Sequence, residues 1–266
     1  MDFATLSVTS QAGVLHVTLN RPATRNAMSL QMVDELRAAL AQAETAGDLR
    51  VIVLRGAGGH FCAGADLQDM AQARQRELAG DTQAIAAVNA RFGVLCGAFA
   101  RTGLATIAVL EGTVMGGGLG LACVVDVALA GQGVQLRLPE TSLGLVPAQI
   151  AAFLVERVGA SQARRLAVTG GKLSAAQALA IGLVHEVHDD GPALDAALAA
   201  TLAQTLRCAP GAIAATKALM ARALHTPAAD LVDDAARVFA QAARGTEGIE
   251  GMTAFLQKRT PSWAPQ

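Results

Sequence analysis

Two short apolar runs constrain the fold of this chain most strongly. Val51–Leu54 and Thr106–Leu110 lack the regular polar alternation of a half-exposed strand, and such runs are typical of strands buried on both faces of a parallel sheet. The segment between them, from Asp81 to Arg101, places its apolar residues at helical spacing. Because parallel neighbours need a crossover, usually a helix, the pattern predicts an α/β fold with a largely parallel sheet.

The first half of the chain adds further elements to this sheet. Thr5–Thr9 and Val14–Leu19 are strand-like and flank a turn, which predicts an antiparallel pair. Apolar residues then recur at helical spacing from Ser29, and Gly47 is the expected end of that helix. A further strand is predicted over Val124–Ala130.

The chain from about residue 148 onward is predicted to be almost entirely helical. Ser174–Gln177 has the sequence of a capping box. Pro210 and Pro227 suit the first position of a helix, where the missing N–H costs nothing. We place a boundary near residue 195, so that residues 1–194 form a core and residues 195–266 form a helical region that packs on this core or on another subunit.

The charge content excludes several classes of protein. Only 16% of the residues are charged, 52% are apolar, and the formal net charge is -1, whereas an ordinary soluble domain is roughly 25% charged. A disordered chain needs the opposite composition, and a nucleic-acid partner requires an excess of positive charge. So few charges also predict that apolar surface is covered in subunit contacts, and therefore a homo-oligomer.

Neither a membrane segment nor a metal site is expected. The first residues lack a basic stretch followed by an apolar run, and the longest apolar stretch is interrupted by glycines and Asp126. We therefore expect a cytoplasmic protein with no membrane partner. The four cysteines form no C-x-x-C pair, which predicts buried, reduced thiols. His185–Asp190 contains metal-ligating residue types without the H-E-x-x-H spacing, so no metal ligands are predicted.

Two loops of small residues carry the first chemical signal. Gly116–Gly118 follows a predicted strand and opens a helix, and His60–Leu67 follows the other buried strand. Small residues leave backbone N–H groups accessible, so the two loops could each offer one N–H to a developing oxyanion. Neither nucleotide-binding glycine motif fits. A tight, closely packed turn is the alternative explanation for the glycines.

Glu140 is the candidate acid/base. It is a lone carboxylate in the apolar segment Leu138–Leu145, and burial there would raise its pKa toward a value useful for proton transfer. A helix N-terminal carboxylate or a salt bridge are the alternatives. His60, beside the second loop, is the next candidate, and Asp66 is expected to cap its turn or helix.

Taken together and in this order, the motifs resemble the crotonase superfamily, also called the enoyl-CoA hydratase/isomerase family. The resemblance spans nearly the whole chain. It rests on Leu19–Pro22, Arg25–Met28, Phe61–Leu67, Gly116–Gly118, Pro139–Glu140 with Gly144–Leu145, Leu179–Val184 and Ala254–Arg259.

The resemblance implies a spiral of β-β-α units with a helical C-terminal trimerisation region, assembled as a trimer or a dimer of trimers. It implies an acyl-CoA thioester substrate and no separate cofactor, because coenzyme A enters as part of the substrate. The N–H groups of Ala65 and Gly117 would form the oxyanion hole, with Glu140 as the acid/base. The implied substrate-binding residues are Arg21, Arg25, Asn26, Ala63, Gly64, Asp66, Leu67, Gly116, Gly120, Phe255 and Lys258.

One departure leaves the reaction open. In the two-glutamate hydratases of this family, the first glutamate occupies the position of Gly120. A single base can shift a double bond from C3 to C2, which favours an isomerase. The segment Gly144–Phe153 is instead similar to the branch that hydrates methylglutaconyl-CoA or isohexenylglutaconyl-CoA, which favours a hydratase. We expect a hydratase, with the isomerase and a non-catalytic CoA-ester-binding paralogue as alternatives.

Overall fold

A computed structural model describes residues 3–189 and 191–265 and contains two β-sheets surrounded by helices. The strands are β1 (Leu6–Gln11), β2 (Val14–Leu19), β3 (Val51–Gly56), β4 (Ala105–Leu110), β5 (Thr113–Met115), β6 (Val127–Gly131), β7 (Gln135–Arg137), β8 (Lys172–Ser174) and β9 (Glu186–His188). The helices are α1 (Leu30–Ala46), α2 (Leu67–Leu78), α3 (Ala84–Arg101), α4 (Gly117–Val124), α5 (Ala151–Thr169), α6 (Ala175–Ala180), α7 (Pro192–Leu206), α8 (Pro210–Ala223), α9 (Ala228–Arg244) and α10 (Thr246–Leu256).

The larger sheet has the strand order β1-β2-β3-β4-β6-β9. Strands β1 and β2 are antiparallel, and every other neighbouring pair in this sheet is parallel. The smaller sheet has the order β5-β7-β8, with β5 and β7 parallel and β7 and β8 antiparallel. The prediction of an α/β fold with a largely parallel sheet and a helical C-terminal region is confirmed.

The central strands are buried on both faces, as their composition predicts. All six residues of β4 are buried. On one face, Leu54 and Leu110 pack in the main core with α1 and α3. On the other face, Val53 and Ile107 pack with Leu194 and other residues of α7. The predicted boundary at residue 195 therefore falls inside a helix that packs on the sheet, and the division into two regions stays a prediction.

Several helix ends match their sequence signals. The Ser29 hydroxyl accepts a hydrogen bond from the Met32 N–H at the start of α1, and Gly47 ends that helix with φ 77°. Ser174 and Gln177 form the predicted capping box, and Pro210 begins α8. Pro227 is the N-cap of α9 instead of its first residue.

Two local expectations were wrong or incomplete. Glu186–His188 lies in the part of the chain predicted to be almost entirely helical, but it forms strand β9 beside β6 because its backbone pairs with the sheet edge. Helix α2 (Leu67–Leu78) occupies a stretch for which no element is predicted from the sequence. Its side chains are mostly exposed, and Ala73 is its buried residue, so apolar periodicity gave little signal there.

Helix α3 has the length and mean hydropathy of a membrane span, and it is the one helix of the described residues that does. In this fold the helix packs against α1, α2 and α4, and Leu95 and Phe99 are fully buried in the core.

Candidate active site

The two loops of small residues meet in the structure. The loop after β3 is joined to β5 by the bridge between Cys62 and Val114, and the Met115 N–H donates to the Cys62 carbonyl at 2.9 Å. Gly64 has φ 96°, and a Cβ there would lie 3.1 Å from the Met115 carbonyl oxygen. Only glycine allows both this backbone conformation and this approach at low cost.

This packing places the two candidate oxyanion donors on adjacent loops. Met28 pairs with Ala65 as an isolated parallel bridge, in which Met28 N–H donates to Gly64 and Met28 carbonyl accepts from Asp66. The Ala65 N–H consequently points away from Met28. Gly117 is the first residue of α4, so its N–H is among the four that a helix leaves unpaired. Within the described residues, neither N–H has a protein acceptor.

Glu140 faces these loops from a third element. It begins a short 3-10 turn, Glu140–Leu143, after β7. Its Oε1 lies 3.0 Å from the position that a Cβ on Gly116 would take. Its Oε2 is buried and has no hydrogen-bond partner among the described residues. Burial raises the pKa of the Glu140 carboxyl above its ordinary value, although a backbone hydrogen bond opposes this effect, so the group is suited to exchanging a proton.

The position of Gly120 is enclosed by apolar side chains. A Cβ at Gly120 would lie 3.0 Å from Phe92 Cζ and 3.1 Å from Ile150 Cγ1. The same ring lies 3.5 Å from the corresponding position at Gly117. Sequence reasoning placed Phe92 only in a helical stripe of α3 and did not identify Ile150. The glycine inside the short helix α4 indicated that another residue packs closely against the helix there. The sequence did not identify that residue.

Three of the predicted substrate-binding residues hold the loop together. Arg21 Nη1 donates to Asp66 Oδ2 and to the Ala27 carbonyl, both at 2.6 Å. Asp66 also caps α2 by accepting from the Gln68 N–H, as the sequence predicts. Partial burial opposes ionisation, but the hydrogen bonds from Arg21 and Gln68 lower the pKa of Asp66. Asn26 is fully buried.

The Asn26 amide group bonds to Arg21 N–H and to the carbonyls of Ala57 and His60. Any effect of Asn26 on the substrate would therefore act through the loop. His60 Nδ1 accepts a hydrogen bond from the Thr113 N–H at 3.1 Å, so one of its ring nitrogens fixes the start of β5. The role of His60 as an alternative base stays a prediction, and only its other ring nitrogen, Nε2, would be available for it.

The remaining predicted substrate-binding residues lie on the surface or in the loops. Arg25 and Leu67 are both exposed. Phe255 is 83% exposed near the end of α10, and Lys258 follows it with φ 54°. Ala63 precedes Gly64, and its N–H donates to the Arg25 carbonyl. The proposed roles of all these residues in binding stay predictions.

The cysteine prediction was correct for three residues. Cys62, Cys96 and Cys123 are buried free thiols, whereas Cys208 is exposed. Burial raises the pKa of Cys62 to about 11 and that of Cys123 to about 12, so neither is an activated nucleophile. Among the described residues, no group of three His, Cys, Asp or Glu side chains is placed to hold a metal ion.

Comparison with known proteins agrees with this geometry. The family model described as "Enoyl-CoA hydratase/isomerase" matches residues 9–266. The chain belongs to the enoyl-CoA hydratase/isomerase family. Within it, the chain is 33% identical over 263 residues to the 2,3-dehydroadipyl-CoA hydratase of Escherichia coli (strain K12), and the match covers 97% of this chain and 98% of that protein.

Solved structures of the family share the whole fold. Pseudomonas aeruginosa AtuE is 52% identical with a TM-score of 0.94, and the match covers 98% of this chain and 100% of that one. An enoyl-CoA hydratase/isomerase from Marinobacter aquaeolei is 47% identical with a TM-score of 0.93, over 98% of this chain and 99% of that one. This member of the enoyl-CoA hydratase/isomerase family is therefore a crotonase-fold enzyme acting on acyl-CoA substrates.

Proposed function

We propose that the protein hydrates a 2-enoyl-CoA thioester and that Glu140 is its single acid/base. The observation that carries the proposal is the Glu140 carboxylate, whose Oε1 lies 3.0 Å from the Cβ position of Gly116 and whose buried Oε2 has no hydrogen-bond partner among the described residues. A buried carboxylate oxygen without a partner is costly. Such an atom is expected where a substrate or a water molecule completes the hydrogen bonding.

In the proposed reaction the thioester carbonyl oxygen accepts hydrogen bonds from the Ala65 and Gly117 N–H groups. Glu140 takes a proton from water while the water oxygen forms a bond to C3 and the C2–C3 double bond becomes an enolate. The enolate charge is stabilised by the two N–H donors. Protonated Glu140 then returns its proton to C2, so the overall reaction adds one water and leaves Glu140 unchanged.

The second candidate is a double-bond shift from a 3-enoyl-CoA to a 2-enoyl-CoA. It is favoured by the surroundings of Gly120, where the atoms nearest to the Cβ position belong to the apolar side chains of Phe92 and Ile150. Glu140 would then remove a proton from C2 and return it at C4. A non-catalytic CoA-ester-binding protein is less well supported, because binding alone does not need an unpaired buried carboxylate.

Isotopic water distinguishes the two reactions. The protein is incubated with crotonyl-CoA, a 3-enoyl-CoA and methylglutaconyl-CoA, in water labelled with heavy oxygen or with deuterium. A hydratase places solvent oxygen at C3 and solvent deuterium at C2, whereas an isomerase incorporates no oxygen. Methylglutaconyl-CoA is included because the segment Gly144–Phe153 resembles the branch that hydrates such esters.

Replacement of Glu140 with glutamine tests the acid/base. The amide keeps the shape of the side chain but cannot exchange the proton, so we expect turnover to fall at least about a hundredfold with CoA-ester binding kept within a few-fold. Glu156→Gln, which changes an exposed carboxylate on α5, is the matched control and should leave turnover unchanged. A fully active Glu140→Gln protein would place the base elsewhere.

We also propose that the protein works as a trimer or a dimer of trimers in the cytoplasm. Large apolar side chains are exposed on the C-terminal helices, including Val232, Phe239, Ile249, Met252 and Phe255. An exposed apolar area of this kind is typical of a subunit interface. This assembly would cover surface that a single chain leaves in contact with water.

A further inference from the structure

One aromatic ring covers the helix turn that carries the candidate oxyanion donor. Phe92 lies on α3, and its ring carbons are 3.5 Å from the Cβ position of Gly117 and 3.0 Å from that of Gly120. Residues three apart in a helix share one face. Phe92 therefore packs against α4 at two glycine positions of one face, where the helix has no side chain of its own.

The surroundings of this ring are apolar. Ile150 Cγ1 lies 3.1 Å from the Cβ position of Gly120, and Met28 Cε lies 3.9 Å from that of Gly117. Ile150 and Met28 are buried, whereas Phe92 is only partly buried. Phe92 is therefore less enclosed than Phe99 on the same helix, which is fully buried.

The distance from Phe92 to the Gly117 donor limits what can bind there. A carbonyl oxygen bound by the Gly117 N–H would sit about 3 Å from that nitrogen. The carbons C2 and C3 follow directly from that carbonyl. Since the Phe92 ring is 3.5 Å from the Cβ position of the same residue, these carbons and a substituent on C3 can come within contact distance of it.

We propose that Phe92 is the residue that limits the bulk of the acyl group at C2 and C3. The proposal rests on the hydration of a 2-enoyl-CoA proposed above. The ring exchanges no protons, so its contribution is to exclude wide acyl groups and to keep an apolar surface beside the double bond. Gly120 belongs to the same arrangement, because any side chain there meets the ring at 3.0 Å.

The test is a comparison of acyl specificity in three variants. Phe92→Ala removes the ring, and Phe92→Leu replaces it with a smaller aliphatic side chain. Val94→Ala changes an exposed residue of the same helix and is the control. The value of kcat/KM is measured for crotonyl-CoA and for a 2-enoyl-CoA with a bulky substituent on C3. Since even one methylene changes such a ratio by about 10–200-fold, we expect Phe92→Ala to raise the bulky-to-small ratio at least about tenfold.

Phe92→Leu should give a smaller change in the same direction, and Val94→Ala should give none. Circular dichroism and thermal unfolding establish that each variant is folded, and Phe92→Leu carries the test if Phe92→Ala does not fold. A folded variant without the ring that keeps the ratio of the unmodified protein would overturn the proposal.

A binding measurement separates this proposal from the proposed reaction. Dissociation constants of a narrow and a bulky saturated acyl-CoA are measured by calorimetry for the same variants. If the unmodified protein turns over no enoyl-CoA but Phe92→Ala still strengthens binding of the bulky ester relative to the narrow one, the proposed reaction fails and the role of Phe92 stands. If turnover is found but neither ratio moves, only the role of Phe92 fails.

Discussion

Replacing Gly117 with proline removes one N–H from the candidate oxyanion hole and places the Cδ of the proline ring where the hydrogen was. Gly117 is the first residue of α4, and proline is well tolerated at that position because the N–H has no partner within the helix. A Cβ at Gly117 would meet Phe92 at 3.5 Å and Met28 at 3.9 Å, which are ordinary contact distances. The backbone there does not have the positive φ that only glycine tolerates.

The expected effect follows from the loss of a single donor. Removing one oxyanion-hole hydrogen bond typically lowers kcat by about a hundredfold to a thousandfold, or about 2.7–4 kcal/mol of transition-state stabilisation. The matched control is Gly117→Ala, which adds the same Cβ but keeps the N–H. The new Cβ meets Phe92 and Met28 at ordinary contact distances, so this control should fold like the unmodified protein.

The assay follows the loss of the enoyl-thioester absorbance for both variants, alongside thermal unfolding. We expect Gly117→Ala to keep most of the rate and Gly117→Pro to lose about two to three orders of magnitude. A folded Gly117→Pro protein with an unchanged rate would refute the assignment of Gly117. Equal losses in both variants would mean that the Cβ, and not the missing donor, disturbs the site.

Two further predictions concern stability and assembly. Burial raises the folded-state pKa of Glu140, so the associated stability is present below the ordinary carboxyl pKa and is lost as pH rises through the raised value. The melting temperature of Glu140→Gln should therefore increase relative to the unmodified protein across that window, and a constant difference would contradict the assigned shift. Sedimentation at micromolar concentration should show no stable monomer. A chain truncated from residue 195 should aggregate, because it loses Leu198 and Leu206 from the core packed on the sheet, and a soluble, active, monomeric truncation would contradict this prediction.

The parts of the fold that depend on local chemistry could be predicted from the sequence. Strand β4 is recognisable because burial on both faces leaves a run of apolar residues, and helix α1 because Ser29 and Gly47 mark its ends. The boundary near residue 195 had no such signal. Helix α7 packs on the far face of the sheet through Leu194, and sequence periodicity cannot say which surface an apolar face covers.

The residues of the candidate site also differ in whether the sequence alone identifies them. Glu140 and the loops around Gly64 and Gly117 were found because the residue types themselves indicate the chemistry: small residues leave backbone N–H groups accessible, and a lone carboxylate in an apolar segment can exchange a proton. Phe92 was not found as a site residue because its importance arises from its distance to Gly117 and Gly120, and those contacts join two helices that are separated along the chain. A ring in a helical stripe has the same sequence pattern whether it fills the core or borders a site.

The unpaired carboxylate oxygen is the strongest physical indication that this site is functional. Leaving a buried polar atom without a partner costs about 1–3 kcal/mol, which is a large fraction of the net stability of a typical folded domain. Glu140 occupies such a position, although its neighbour Leu138 is an apolar residue that is buried at no such cost. Folding alone would favour an apolar residue at Glu140 as well. The carboxylate is therefore explained by what binds beside Gly116, where a water molecule can donate the missing hydrogen bond.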